Sequence, residues 1–254
     1  MTIRKKGGSK MSSENKLSSL FDDEVIKDYL MLNDRTLRLA VSRISAVCDI
    51  IKDKCDDDEL IASELNNINK MCCRIMQISE LNGMLAGAAK GIRVDEVIDA
   101  AELLTVFVKN CSEMLGGICS ITSSRTDKFF INASNDALTY LLLSYLRASV
   151  LGGAKEIDIT CRTDNEQGVI SVKILRSEKT AFDHFEDFQY TYSDSIISSA
   201  AASIGAVSEK TDAELKLTFP SCPNSSEAKL LSPRQEYEDG SFSEYRIMLS
   251  DITE

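Results

Sequence analysis

The chain has 254 residues, 43% of them hydrophobic, which is enough to fill the core of one large domain or two ordinary ones, and it carries a formal charge of −11. A pI of about 4.8 argues against nucleic acid or an anionic membrane as partner, because a phosphate surface is gripped by clustered Lys and Arg. Eight cysteines without a C-x-x-C pair, and one histidine in the whole chain, exclude the usual zinc sites.

The basic start (Arg4, Lys5, Lys6) runs into Gly-Gly-Ser-Lys instead of an apolar signal core, and no later run approaches the ~20 apolar residues of a membrane span. Residues 1–20 are expected as a disordered lead-in. Most cysteines fall on apolar faces, where a free thiol acts as a small hydrophobe, so a reducing, cytoplasmic location is expected.

From about Asp22 to Cys55 there is no Pro or Gly, and apolar residues recur at Leu37, Val41, Ile44, Cys48, Ile51 and Cys55. This spacing is a heptad seam and predicts a long helix. The acidic run Asp56, Asp57, Asp58, Glu59 supplies a turn and a solvated, dipole-favoured start for a second helix. That helix repeats the seam at Ile61, Leu65, Ile68, Cys72, Ile75 and Ser79. Residues 21–90 are therefore expected as an antiparallel hairpin. One apolar stripe per helix is not well buried by a single hairpin, so pairing with a second copy into a four-helix bundle is expected.

Gly83, Gly87 and Gly91 mark the exit from the hairpin. A helix is predicted over Val94 to Leu115, with an apolar face at Val97, Ile98, Ala101, Leu104 and Val108. Short strands are predicted at Ile118 to Ser123 and Phe129 to Ala133, then a helix from Asn135 to Leu151 capped by Ser134 and ended by Gly152 and Gly153. Alternating segments at Glu156 to Arg162 and Val169 to Leu175 read as a hairpin, followed by a small-residue helix from Asp194 to Ile204 and strands at Ala206 to Lys210 and Ala213 to Phe219. Residues 92–220 thus form an α+β sandwich. Residues 221–254 read as a linker or tail in which Tyr245 to Ile252 adds an edge strand.

A dimerising heptad hairpin followed by this α/β order resembles the sensor histidine kinase core, a DHp-like hairpin joined to a GHKL-type ATP-binding domain, over roughly residues 32–220. Family phosphoacceptor helices carry His-Glu-Leu-Arg-Thr-Pro-Leu; here Arg35, Thr36, Leu37, Arg38, Leu39, Ala40 and Val41, with Ile44 beyond, fit that frame. The resemblance puts Arg35 at the phosphoacceptor position. A guanidinium stays protonated and non-nucleophilic, and no histidine precedes His184, so histidine phosphorylation on this hairpin is excluded.

The family's asparagine box has an apolar run, Asn, three residues, Asn and Ala. Here Leu141 and Leu142 begin the run, Leu143 and Arg147 stand at the two asparagine positions, and Ala148 closes it. Leucine cannot supply the hard oxygen that Mg²⁺ takes, whereas arginine can still pair with a phosphate. The adenine-binding Asp-x-Gly-x-Gly is replaced by Arg176, Ser177, Glu178, Lys179, Thr180 and Ala181, and the second Gly-x-Gly by Tyr192, Ser193, Asp194, Ser195 and Ile196. Leu215 to Pro220 looks like the family's final strand.

The resemblance therefore implies a catalytically degenerate, pseudokinase-like protein, a dimeric scaffold or docking regulator in two-component-type phosphosignalling, with no catalytic residue and no cofactor. Its partners would be a response-regulator receiver domain or another kinase. Arg35 and Arg38 would either dock the acidic pocket of such a partner or form a solvated basic face. Two alternatives stay open: a diverged kinase that binds ATP and Mg²⁺ by other contacts, and a small-ligand sensor using the vestigial cleft. His184 falls in the lid-equivalent segment and reads as solvated. The cluster Phe182, Phe185, Phe188, Tyr190 and Tyr192 reads as a collapsed lid or local core, and Cys72 beside Cys73 as packing in the seam.

Overall fold

Helices α1 (Glu24–Lys54) and α2 (Glu59–Lys90) form the antiparallel hairpin in a computed structural model that describes residues 24–55, 58–90, 97–164, 167–178, 194–220 and 243–253. Asp58 starts α2 as expected of the acidic turn, its Oδ1 accepting from the amides of Leu60 at 3.0 Å and Ile61 at 3.2 Å. The hairpin is further tied by an ion pair of 2.5 Å from Arg38 on α1 to Glu80 on α2.

Beyond the hairpin the expected α/β order holds with one change at its start. Val97–Asp99 form strand β1, and helix α3 begins only at Ala100 (Ala100–Leu115). Asp99 is the cause: its Oδ1 accepts from the amides of Ala101 and Glu102 at 3.0 and 3.3 Å, which fixes the helix start there. Val97 and Ile98, expected on the helix face, instead pair antiparallel with Asn132 and Ile131. The buried positions of α3, Leu103, Leu104, Phe107, Cys111 and Leu115, follow the three-four repeat of one apolar face.

β2 (Ser120–Thr122) and β3 (Phe130–Asn132) precede α4 (Asn135–Leu151), which Ser134 caps through its Oγ to the amide of Ala137. Every residue from Leu138 to Arg147 is buried, so α4 lies at the centre, between the sheet and the other helices. Gly153, just past its end, has a φ of 95° that a side chain would strain. β4 (Ala154–Asp164) and β5 (Gln167–Ser177) are longer than the alternating pattern predicts, because the antiparallel ladder continues to Asp164 opposite Gln167.

Helix α5 (Asp194–Ser203), β6 (Val207–Lys210) and β7 (Glu214–Phe219) complete the unit. The main sheet runs β2-β4-β5-β7-β6, with β2 parallel to β4 and all other neighbours antiparallel; β1 and β3 make a separate pair. The architecture is a mixed α+β fold.

A close contact lies at the turn end of β5, the central strand of this sheet. A Cβ on Gly168 would come within 1.9 Å of the Phe129 ring. Gly168→Ala is expected to cost about 1–3 kcal/mol by overpacking. Chemical denaturation of the single variant, and of the double variant with Phe129→Ala, would check this; the two losses should fail to add, since the small side chain removes the clash.

The C-terminal segment differs from expectation. Tyr245 to Ile252 form no edge strand but lie in helix α6 (Glu244–Thr253). Ser243 Oγ accepts from the amide of Arg246 at 3.1 Å at its start. Tyr245, Met248 and Leu249 enter the main core, with the ring of Tyr245 5.8 Å from that of Phe107, while Ile247 packs with Val41, Cys72 and Met76 of the hairpin. The spacing 245, 248, 249, 252 is helical, and a strand would have turned half of these side chains to water.

Candidate functional site

The hairpin seam is divided between two faces. On α1, Val41 and Cys48 are buried, whereas Ile44 and Ile51, the alternate members of the same stripe, are 43% and 38% exposed. On α2, Leu65, Cys72 and Ser79 are buried, and Ile68 and Ile75 are 41% and 37% exposed. The stripe lies on the boundary between the inside and the outside of the hairpin, so its members face each side in turn.

The outward members are joined by others at heptad spacing. Ile44, Val47 and Ile51 on α1, and Ile68, Met71, Ile75 and Ile78 on α2, make two exposed apolar rows with steps of three and four. Outside the hairpin, the exposed large apolar residues among those described are Leu175 and Val207 alone. These rows are the largest groups of exposed large apolar side chains among the described residues.

Arg35 and Arg38 sit on α1, one turn apart, in different situations. Arg35 is exposed. Arg38 is half-buried and engaged by Glu80, so it contributes to the hairpin before it can contribute to any partner.

The positions of the asparagine box lie in the core. Leu143 and Arg147 are fully buried on α4, and Arg147 is engaged there by a neighbour. Neither lines the cleft of about 470 Å³ that opens beside the C-terminal half of α4. That cleft is bounded by Tyr145, Ser149, Arg176, Ile197, Lys210 and Asp212. Burial pushes the Tyr145 hydroxyl up to about 12, so it stays protonated at neutral pH. Arg176, Ser177 and Glu178 continue the end of β5, with the Glu178 amide bonded to the Gly153 carbonyl at 2.9 Å. His184 and the aromatic cluster from Phe182 to Tyr192 lie outside the described residues, as do Lys179, Thr180, Ala181 and Ser193.

The cysteines behave as packing. Cys48, Cys72, Cys73, Cys111, Cys119 and Cys161 are buried and unbridged, and Cys55 is partly open. Burial holds the Cys72, Cys111 and Cys119 thiols above their ordinary range and takes Cys161 to about 12. The thiolate is the reactive form, so a raised value means little nucleophile at pH 8. Brief alkylation of the native protein at that pH should label Cys55 before any other described cysteine and leave Cys111 and Cys161 untouched until denaturant is added, as read by peptide mass spectrometry. Early labelling of Cys161 would show that the sheet core opens.

Among the described residues, no cluster of His, Cys, Asp and Glu is placed to hold a metal ion, and no helix is long and apolar enough to cross a membrane.

No protein-family model matches the sequence, and no curated protein matches it. Solved structures do. The Acinetobacter baumannii histidine kinase AdeS is similar over 73% of this chain and 95% of its own, with 10% identity and a TM-score of 0.47. The ATP-binding domain of PrrB from Mycobacterium tuberculosis is similar over 51% of this chain and 98% of its own, with 13% identity and a TM-score of 0.40. The Erythrobacter litoralis blue-light-activated histidine kinase EL346 is similar over 60% of this chain and 59% of its own, with 12% identity and a TM-score of 0.39. The likeness is one of general fold, distant and over part of the chain.

Proposed function

We propose that this chain is a homodimeric docking module laid out like a histidine-kinase core and without phosphotransfer chemistry of its own. The observation that carries the reading is the division of the hairpin seam: Val41, Cys48, Leu65 and Cys72 close the hairpin, and Ile44, Ile51, Ile68 and Ile75 remain on its outside at the spacing a second hairpin needs. An isologous pair would place the same rows of both copies against each other and convert two exposed stripes into the core of a four-helix bundle.

The chemical side of the reading rests on residue types. Arg35 stands where the resemblance expects a phosphoacceptor, and Leu143 and Arg147, where it expects metal and phosphate ligands, are closed into the core. What remains at the surface is a recognition function. Arg35, exposed on α1, offers a charge-assisted contact to an acidic partner, and a receiver domain with its carboxylate-rich pocket is the partner the layout suits.

Capture on the immobilised intact chain tests the docking half. Wild-type protein should retain receiver domains of its own source, and Arg35→Glu should reduce retention at least about tenfold by replacing attraction with repulsion, salt-dependently. Retention unchanged by Arg35→Glu would overturn the placement of the docking site. A second reading, a small-ligand sensor, is favoured by the cleft beside Tyr145, which is large enough for a metabolite and has a protonated hydroxyl in its wall.

A further inference from the structure

We propose that α6 is a releasable strap that fixes the hairpin to the α/β body, a conformational device independent of the dimer seam. Helix α6 touches both parts with different faces. Tyr245, Met248 and Leu249 enter the body core against α3 and α4, and Ile247 packs with Val41, Cys72 and Met76 of the hairpin.

A buried polar contact locks the arrangement. Gln77 Nε2 on α2 donates to the Ile247 carbonyl at 2.7 Å, and the carbonyl of the same Gln77 accepts from the Tyr140 hydroxyl of α4 at 2.8 Å. One residue of the hairpin is thereby bonded to the strap through its side chain and to the body through its backbone. Both bonds are buried, so separating the parts leaves polar groups without partners unless water enters.

The strap is poised because its gains and costs are of similar size. It has 10 residues, too short to be a stable helix alone, and docks through four buried apolar side chains and the Gln77 bond. Ordering its backbone opposes this with a term of the same order as the burial. The body beneath it draws most of its core from α3, α4 and the sheet, to which Tyr245, Met248 and Leu249 add three side chains. Undocking would uncover Phe107 on the body and Val41, Cys72 and Met76 on the hairpin, and would leave the hairpin held by the packing of α2 on α5, by Leu81 and by the Gln77–Tyr140 bond, a looser attachment. The strap meets Cys72, Met76 and Gln77 of α2, and the proposed dimer rows use Ile68, Met71, Ile75 and Ile78, so the two contacts use different faces of one helix.

Hydrogen exchange on the intact wild-type chain supplies the first test. Amides of residues 247–253 should exchange at least about tenfold faster than those of Leu104 to Cys111 on α3, because a strap opens without global unfolding. Equal rates would mean that α6 opens only with the whole body, and would overturn the proposal. The second test is Ile247→Asp, which places a charge on the hairpin side of the strap alone. Small-angle scattering, compared at matched oligomeric state, should show a larger radius of gyration than wild type, with α3 and α4 exchange within about twofold of wild type. An unchanged scattering profile, or loss of protection throughout α3 and α4, would overturn it.

Discussion

Replacing Ile44 and Ile75 together by glutamate is expected to convert the protein from dimer to monomer, with a loss of affinity of at least three orders of magnitude. The two side chains are outward members of the seam on α1 and α2, half-exposed in the single chain, and the proposed pairing would bury them. Each substitution occurs twice in an isologous pair, so four apolar contacts are lost and four carboxylates meet an apolar interface. Each isoleucine is already more than half covered in the single chain, so forfeiting the rest of its burial costs roughly 0.6–1.2 kcal/mol, and an unpaired charge in a dry interface costs more. Since about 1.4 kcal/mol is a factor of ten, the smallest of these values over four positions accounts for more than one order of magnitude, and the four buried charges supply the rest. The monomer should stay folded, because Val41, Cys48, Leu65 and Cys72 on the inner face are untouched. Light scattering reads the mass, and circular dichroism confirms the helices. The control is Val41→Glu, which should unfold the hairpin itself.

Placing at Leu143 the asparagine that the kinase resemblance expects should damage the protein without giving it nucleotide. Leu143 is fully buried at the centre of α4, with buried neighbours from Leu138 to Arg147 on every side. Leu143→Asn removes an apolar side chain and inserts an amide with no partner. The lost burial is worth about 2–3 kcal/mol and the unsatisfied amide about 1–3 kcal/mol, together a large share of the roughly 5–15 kcal/mol that holds a domain. Chemical denaturation should show the midpoint falling sharply with an unchanged slope. Neither wild type nor the variant should gain thermal stability from millimolar Mg-ATP, although a ligand at a hundred times its dissociation constant would add about 2.7 kcal/mol. A shift in the wild type would favour the diverged kinase, and a shift in the variant alone would show that position 143 faces a nucleotide.

Much of the skeleton was legible because it is written in periodicity. The heptad spacing from Leu37 to Cys55 and from Ile61 to Ser79 gave both hairpin helices, and the Ser134 cap with Gly152 and Gly153 gave both ends of α4. Periodicity alone treats a stripe as one face, however. It did not reveal that Val41 and Cys48 turn inward while Ile44 and Ile51 turn out, a difference set by where the second helix of the hairpin lies.

The two misread segments failed for local reasons. At Val97 and Ile98, the apolar run fits strand and helix alike over so short a span, and the deciding signal was Asp99 with Glu102 three residues on, an N-terminal capping pattern. At Tyr245 to Ile252 the helical spacing was present in a segment whose surroundings read as a tail, so composition outweighed pattern. The site was less legible than the fold. Arg35 and Arg38 are one turn apart in sequence, yet only Arg38 is claimed by Glu80, a contact between residues 42 positions apart that no local pattern encodes.

Sedimentation velocity of the intact chain at about ten micromolar tests the central claim most directly, since the proposed apolar four-helix interface is expected to hold well below that concentration. The division of the seam predicts one species of twice the 28.0 kDa chain mass. A single species at the mass of one chain would contradict it.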